Sequence, residues 1–205
     1  MKLHELGLKY KTDKAHYHNF TNIYDDNLKH LVSEKLNFLE VGIEHGFSLK
    51  MWAEYFENAN IFGADILDKS FLDNNKIKTF TINQENENEL NLLPNNLDII
   101  VDDGGHTMLQ QQITFKVLFD NKLKTGGYFI LEDLHTSKEH YYRTHGSNDK
   151  NNTLKLLYDF KNGVISEDNK YFITTSEFNH LLSMIESIDI YENGIDSITS
   201  IIRKK

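Results

Sequence analysis

The most informative stretch of the chain is Leu97-Asp98-Ile99-Ile100-Val101-Asp102-Asp103-Gly104-Gly105-His106, an apolar run that ends abruptly in acids and glycines. A second stretch of the same form is Tyr128-Phe129-Ile130-Leu131-Glu132-Asp133-Leu134-His135. A short apolar run bounded by glycine is typical of a buried parallel strand. In open α/β sheets, ligands bind at the carboxyl ends of such strands. We therefore expect the acids and histidines that follow both runs to lie together at a ligand site.

The carboxylates in these two stretches need a compensating positive charge. Asp103, Glu132 and Asp133 would repel one another at close range unless a cation or a shared proton relieved them. Hard divalent cations prefer oxygen ligands of this kind. The pattern favours a divalent metal site with a histidine beside it. The alternative is a polar cluster without metal, which would be costly to bury.

Length and composition restrict the class of protein. The 205 residues suit one domain, with residues 1–34 as a helical cover or lid. The net charge of −9 disfavours a nucleic-acid partner. The absence of cysteine excludes disulfides, thiolate zinc sites and a cysteine nucleophile. Since no apolar stretch approaches a membrane span and the first residues do not form a signal-peptide core, we expect a cytoplasmic protein without a membrane span.

Strand and helix patterns alternate along the first two thirds of the chain. The strands are predicted at residues 36–41, 60–65, 77–82, 97–101 and 128–131. Helical spacing of apolar residues follows the first strand, at residues 47–56, and also follows the fourth. Lys124-Thr125-Gly126-Gly127 is predicted to be a turn. Such alternation indicates a doubly wound parallel sheet with helices on both faces.

The two ends of the chain have different patterns. A helix is predicted over residues 153–160, and Asn193-Gly194 separates two apolar runs at 187–191 and 197–202, which is a strong hairpin signal. The mostly parallel, seven-stranded sheet is therefore expected to end in an antiparallel hairpin. Residues 12–31 are rich in aromatic residues and histidine, and two interpretations stay open: an amphipathic helix over the sheet edge, or a lid over the cleft.

A glycine loop follows the first predicted strand, in Glu40-Val41-Gly42-Ile43-Glu44-His45-Gly46-Phe47-Ser48. Gly42 permits a sharp turn, Gly46 permits close approach of a ligand, and the helix that follows offers free N–H groups. Asp65 stands nineteen residues after Gly46, where an acid can accept both ribose hydroxyls of an adenosine ligand. The alternative is a glycine turn that only reverses the chain.

The spacing of this loop distinguishes between ligands. A dinucleotide site would have G-x-G-x-x-G, whereas this loop has G-x-x-x-G. Glu40 and Glu44 disfavour a diphosphate and suit a cationic or zwitterionic ligand. S-adenosylmethionine, with its sulfonium and amino groups, is such a ligand.

Together these motifs resemble the class I S-adenosylmethionine-dependent methyltransferases, whose fold is Rossmann-like. Within that class they are similar to the metal-dependent sugar O-methyltransferases of macrolide and surface-polysaccharide pathways, the mycinamicin type. The resemblance covers roughly residues 6–137 and includes Lys11-Thr12-Asp13-Lys14. Its most specific part is the pair of motifs Asp102-Asp103-Gly104-Gly105-His106 and Glu132-Asp133-Leu134-His135-Thr136-Ser137.

The resemblance implies a role for each matching residue. For the methyl donor, the implied residues are Gly42, Gly46 and Ser48 at the methionine end, Glu40 beneath the loop, Asp65 at the ribose, and Asn83 and Gln84 near the adenine. Asp102 would orient the donor, with helix capping as its alternative role. Asp103, Glu132 and Asp133 would hold Mg²⁺, and His106 would be the general base. His135 would either face the substrate or be structural.

The chain departs from the family pattern at several points. Gly105 stands where serine is usual, which we expect to loosen the loop that carries His106, and Gln110 stands where histidine is common. Residues 138–152 match no part of the pattern. We also expect the extra N-terminal domain of the larger macrolide enzymes to be lacking.

The expected function is magnesium-dependent transfer of a methyl group from S-adenosylmethionine to a hydroxyl of a sugar or nucleotide-linked sugar, by a possible homo-oligomer. One alternative is methylation of a catechol-like diol, which an aromatic pocket would favour. A nicotinamide-dependent oxidoreductase is disfavoured by the missing third glycine. A non-catalytic subunit is disfavoured because His106 and the full acidic set are retained.

Overall fold

The computed structural model describes residues 2–192 and 197–205. Within them, seven strands form one sheet in the order β3-β2-β1-β4-β5-β7-β6. The strands are β1 Asn37–Val41, β2 Asn60–Asp65, β3 Ile77–Thr81, β4 Leu97–Asp102, β5 Leu123–Leu131, β6 Ile185–Glu192 and β7 Ile198–Lys204. The α-helices are α1 Leu3–Tyr10, α2 Asp13–His16, α3 Thr21–Leu28, α4 Phe47–Tyr55, α5 Glu87–Leu90, α6 Met108–Asn121, α7 Tyr142–His145, α8 Thr153–Asn162 and α9 Thr175–Met184.

The topology of the sheet agrees with the sequence prediction. Strands β1 to β5 pair in parallel, and β7 pairs antiparallel with both β5 and β6. The predicted Asn193-Gly194 turn between β6 and β7 lies outside the described residues. Because β1 lies between β2 and β4, the chain reverses its winding direction beside β1, and a crevice opens there at the carboxyl ends of the strands.

Alternation of side chains along the central strands builds a core on each face of the sheet. In β1, Phe38 packs with α1, α3 and α4, whereas Leu39 and Val41 pack with α6, α8 and α9. Successive side chains of a strand point to opposite faces. Glu40 therefore points toward α4 and the N-terminal helices, and Asp102 at the end of β4 points toward α6.

One local prediction needs correction, and one helix was not predicted. The predicted turn at Lys124–Gly127 is wrong, because β5 begins at Leu123 and absorbs these residues through a register shift opposite Leu97–Ile99. Helix α9 was not predicted. The N-terminal segment is helical and contains the three short helices α1 to α3, and its role as a cover or a lid stays a prediction. No helix in the described part of the chain is both long and apolar enough to cross a membrane.

Candidate active site

A cleft of about 360 Å³ opens at the carboxyl ends of β1, β2 and β4. Seven of the predicted site residues line it: Gly42, Asp65, Asn83, Gln84, Asp103, His106 and Asp133. Six others do not: Glu40, Gly46, Ser48, Asp102, Glu132 and His135. Asp13, from the N-terminal segment, lines the cleft and was not predicted.

The glycine loop has the backbone conformation that its sequence indicates. Gly42 has φ +79° and lies so close to the Asp103 carbonyl and Gly104 that a Cβ would overlap them. Gly46, with φ +72°, is the N-cap of α4. Such positive φ values favour glycine. The loop can therefore approach the β4 end closely because Gly42 lacks a side chain, and Gly46 lies in the same way against the side chain of Leu72.

Asp65 holds this loop from the neighbouring strand. Its Oδ2 accepts hydrogen bonds from the backbone N–H groups of Ile43 and Glu44, each at 3.1 Å. Its Oδ1 accepts from Leu67 N at 2.9 Å. Asp65 thus fixes the shape of the loop and also lines the cleft, so the same carboxylate shapes and faces the space a nucleoside would occupy.

Gln84 and Asp102 contact the second loop of the cleft, residues 103–107 between β4 and α6. Gln84 Oε1 accepts from Gly105 N at 2.6 Å, and its Nε2 donates to Thr114 Oγ1 at 3.1 Å. Asp102 Oδ1 accepts from Gly104 N at 3.3 Å. Burial raises the pKa of Asp102 well above its ordinary value. These contacts fix the loop that carries His106.

The helix after this loop is capped by another residue. Thr107 is the N-cap of α6, and its side chain accepts from Gln110 N at 3.2 Å. Gln110 Oε1 accepts in return from the Thr107 backbone N–H at 3.3 Å, which completes a capping box. The alternative role of Asp102 as the cap of this helix is therefore wrong.

The two departures from the family pattern contact each other. A Cβ on Gly105 would overlap the amide of Gln110, so the Gln110 side chain occupies the space beside Gly105. The Gly105 N–H is also bound by Gln84. The loop before His106 is therefore fixed on two sides, which argues against the loosening expected from Gly105.

Acidic and histidine side chains converge at one end of the cleft. One potential ligand atom from each of Asp103, His106 and Asp133 lies within 4.8 Å of the others. His106 Nε2 is 3.2 Å from Asp133 Oδ2, and His135 Nδ1 is 3.5 Å from Asp133 Oδ1. Asp133 therefore stands between the two histidines, and His135 faces Asp133 without lining the cleft.

Lys14, from α2, provides the buried positive charge among these acids. Its ammonium group donates to Asp103 Oδ2, donates to Glu132 Oε2 at 3.0 Å and lies 3.5 Å from Glu40 Oε1. The residue has no exposed surface. Sequence reasoning included Lys14 in the family motif but gave it no role. Its place in the Lys11–Lys14 match was the signal that could have found it.

Burial sets the electrostatics of this cluster. It raises the pKa of Glu132 well above its usual range and that of Glu40 to about 7, and the charge of Lys14 opposes both shifts. Burial alone would lower the pKa of Lys14. The charges of Asp103, Glu132 and Glu40 outweigh that effect, so the pKa of Lys14 is raised and the ammonium is retained.

The residues present fit an oxygen-preferring dication. Glu132 Oε1 is buried and accepts no hydrogen bond from any described residue, although Oε2 of the same carboxylate is bound by Lys14. A buried carboxylate oxygen without a partner is costly. Asp103 and Asp133, which line the cleft, supply carboxylate oxygens of the kind that Mg²⁺ prefers, and His106 takes the third place in this ligand group instead of the predicted Glu132.

Comparison with known proteins identifies relatives in one enzyme group. The chain is 34% identical over 146 residues to 8-demethyl-8-(2-methoxy-alpha-L-rhamnosyl)-tetracenomycin-C 3'-O-methyltransferase of Streptomyces olivaceus. It is 32% identical over 146 residues to mycinamicin VI 2''-O-methyltransferase of Micromonospora griseorubida. Each match covers 66% of this chain, but the chain spans only 37% and 36% of these relatives' lengths. No family model matches the chain.

The structure agrees with these matches. The whole chain superposes on 54% of the MycE methyltransferase of the mycinamycin pathway, in complex with Mg, SAH and mycinamycin VI, with a TM-score of 0.81 and 26% identity. The chain has the fold of the class I methyltransferases. A second MycE structure, with Mg and SAH, gives a TM-score of 0.82. The family resemblance stated from the motifs is thereby confirmed.

Proposed function

We propose that this chain transfers a methyl group from S-adenosylmethionine to a sugar hydroxyl, with the help of Mg²⁺. The observation that carries the proposal is that one cleft joins the Gly42–Asp65 wall to the Asp103, His106 and Asp133 side chains. The part of the cleft at Gly42 and Asp65 suits a nucleoside. The part at Asp103, His106 and Asp133 suits a metal-bound diol. The names of the relatives, which are sugar O-methyltransferases, support the same reaction.

The donor would lie along the glycine loop. S-adenosylmethionine supplies a methyl group on an activated sulfonium. Gly42 gives close backbone approach, Asp65 stands at the ribose, and Asn83 and Gln84 stand at the adenine end. Four predicted residues would support the donor site without lining the cleft: Gly46, Ser48, Glu40 and Asp102. Ser48 Oγ donates to Glu40 Oε2 at 2.8 Å, and Asp102 Oδ1 accepts from Gly104 N.

The acceptor would lie against the acids. Asp103, Glu132 and Asp133 would hold Mg²⁺, which when bound lowers the pKa of a hydroxyl and fixes its position. His106 would accept the hydroxyl proton, and Asp133 Oδ2, which lies 3.2 Å from His106 Nε2, would stabilise the resulting imidazolium. His135 supports Asp133 and stands at the edge of the substrate site.

The nature of the acceptor rests on what lines the cleft. Among the described residues, no Phe, Tyr or Trp lines it. An aromatic diol would favour stacking partners, so this wall suits a polyhydroxylated sugar better than a catechol. A nucleotide-linked sugar, a homo-oligomeric enzyme, the N-terminal helices as a lid and a cytoplasmic location all stay predictions.

Mass spectrometry of acceptor panels tests this function. We expect the protein with S-adenosylmethionine and MgCl₂ to add one methyl group to a nucleotide-linked sugar or a deoxysugar glycoside. EDTA should abolish the mass gain, and excess MgCl₂ should restore it. Calorimetry provides a second measurement: heat of binding with NAD but none with S-adenosylmethionine would contradict the proposal.

A further inference from the structure

Helix α2 inserts one charged side chain into the acidic cluster. Lys14 is fully buried and faces Asp103, Glu132 and Glu40, which belong to three different strand ends. Its neighbour Asp13 lines the cleft. Two consecutive residues of the N-terminal segment therefore contact the site, one from behind the acids and one from the open side.

Lys14 leaves part of each carboxylate available. It contacts Oδ2 of Asp103 and Oε2 of Glu132, while Glu132 Oε1 is buried without a partner among the described residues. Asp103 also faces the cleft, where it approaches His106 and Asp133. The ammonium group therefore contacts Asp103 from α2, whereas a cation in the cleft would contact Asp103 from the side of His106 and Asp133.

The segment around Lys14 is itself held by a few backbone contacts. The Lys14 carbonyl accepts from Phe20 N at 2.8 Å, and the Asp13 carbonyl accepts from Tyr17 N and His18 N at 3.0 and 2.9 Å. Helix α2 packs on α1 so closely that a Cβ on Gly7 would lie 2.5 Å from Ala15 Cβ. A change in the position of Lys14 therefore moves the whole stretch 12–20.

We propose that Lys14 is a positioning residue that couples the docking of residues 12–20 to Mg²⁺ binding at the acidic cluster. This inference rests on the proposed function. By holding Asp103 and Glu132 from behind, Lys14 orients the Asp103 carboxylate that faces the cation site in the cleft. A bound cation in turn fixes the carboxylates that anchor Lys14 and so fixes the segment that places Asp13 at the acceptor side.

Hydrogen exchange of the wild-type protein tests the coupling without any substitution. The Thr12 amide reports the docking of α2 on α1, because it donates to the Gly7 carbonyl at 3.1 Å. The amides of Tyr17, His18 and Phe20 report the order of the segment itself, because each donates to a carbonyl of Asp13 or Lys14. We expect MgCl₂ to slow exchange in peptides covering 12–20 by about 5-fold or more, the lower end of typical coupling between sites. Faster exchange with MgCl₂ would overturn the proposal, because it would mean that the cation displaces the ammonium.

A matched pair of substitutions tests the role of Lys14. Lys14→Met keeps the length of the side chain and removes its charge, and Lys9→Met does the same at an exposed lysine of α1 that pairs with Glu54. We expect the MgCl₂ response of residues 12–20 to vanish in Lys14→Met and to persist in Lys9→Met. An equal response in both variants would show that the segment senses the cation through other contacts.

Gly7→Ala displaces α2 and alters no charge. Coupling is reciprocal, so a variant that undocks the segment must weaken Mg²⁺ affinity by the same factor, about 5-fold or more. Isothermal calorimetry with MgCl₂ measures it, and unchanged affinity with faster exchange would overturn the coupling. The proposed function fails separately: absence of any Mg²⁺ binding by the wild type would refute the metal site itself, whereas binding without an exchange response refutes only the coupling.

Discussion

His106 Nε2 lies 3.2 Å from Asp133 Oδ2, although the two residues follow different strands of the sheet. Asp133 has φ +55°, a left-handed conformation that aspartate tolerates better than most residues. His106 sits in a loop fixed by Gln84 on one side and by the capping box of α6 on the other. The local structure on both sides therefore holds His106 and Asp133 in contact, which the proposed proton acceptor and a carboxylate that stabilises its protonated form require.

Replacement of His106 by alanine should remove the proton acceptor. We expect His106→Ala to lower kcat by about 10²–10⁴-fold, the range of general-base catalysis, with little change in affinity for S-adenosylmethionine. His180→Ala is the matched control, because His180 pairs with Asp120 at 3.0 Å on the surface. Steady-state kinetics and donor calorimetry on both variants check this, and retained turnover in His106→Ala would exclude it as the base.

Asp65 should govern donor affinity through the shape of the loop. Asp65→Asn places an amide N–H₂ against backbone N–H groups that now donate to a carboxylate oxygen. We therefore expect the affinity for S-adenosylhomocysteine to fall by about 10-fold or more. Asp98→Asn is the control, because Asp98 Oδ2 accepts from Asn37 N at 2.7 Å at the opposite end of β1. Calorimetry with S-adenosylhomocysteine measures both. Equal affinities would show that Asp65 does not shape the donor site.

Much of the fold follows from local sequence pattern. The apolar runs before Gly42, Asp102 and Glu132 predict parallel strands, because each is short, continuous and closed by glycine or acid. The turn predicted at Lys124–Gly127 failed for a tertiary reason. Its glycines permit a turn, but pairing of Leu123 with Leu97 draws the segment into β5. Strand pairing depends on a neighbour distant in sequence, which local pattern does not contain.

Some site residues could be placed from local sequence pattern, and others depend on packing between distant parts of the chain. Residues that follow strands, such as Asp103 and His106, could be placed at the cleft because the carboxyl ends of parallel strands share one edge. Lys14 could not be placed, since it reaches the acids across 89 residues of sequence to Asp103 and 118 to Glu132. Its position depends on how the N-terminal helices pack on the sheet.

The raised pKa of Glu40 predicts a pH dependence of stability. The folded-state pKa of about 7 exceeds the ordinary value of 4.5, because burial outweighs the charge of Lys14. The folded protein then binds more protons than the unfolded chain between these values, so the free energy of unfolding falls as pH rises through this window. The loss at Glu40 is at most about 3 kcal/mol.

Urea unfolding in EDTA, at pH 5 and pH 7.5, measures this loss. Glu40→Gln removes the titrating group, so we expect the variant to gain stability relative to wild type as pH rises. The comparison with wild type cancels much of the contribution of Asp103, whose pKa burial also raises. A difference between the two proteins that does not change with pH would contradict ionisation of Glu40 in this window.

Two glycines with similar backbone angles separate backbone strain from close approach. Gly42 (φ +79°) would place a Cβ against the Asp103 carbonyl, whereas Gly163 (φ +68°), at the end of α8, has no atom within 4 Å of such a Cβ. Alanine at positive φ costs about 1 kcal/mol at either position, and overlap at Gly42 adds about 1–3 kcal/mol. Gly42→Ala should therefore lose more unfolding free energy than Gly163→Ala, measured in urea.

Gly42→Ala should also weaken binding of the methyl donor, whereas Gly163→Ala should not, because of the two glycines only Gly42 lines the cleft. Equal losses of stability in the two variants would mean that the loop can move away from β4, and the donor site would then not depend on their close approach.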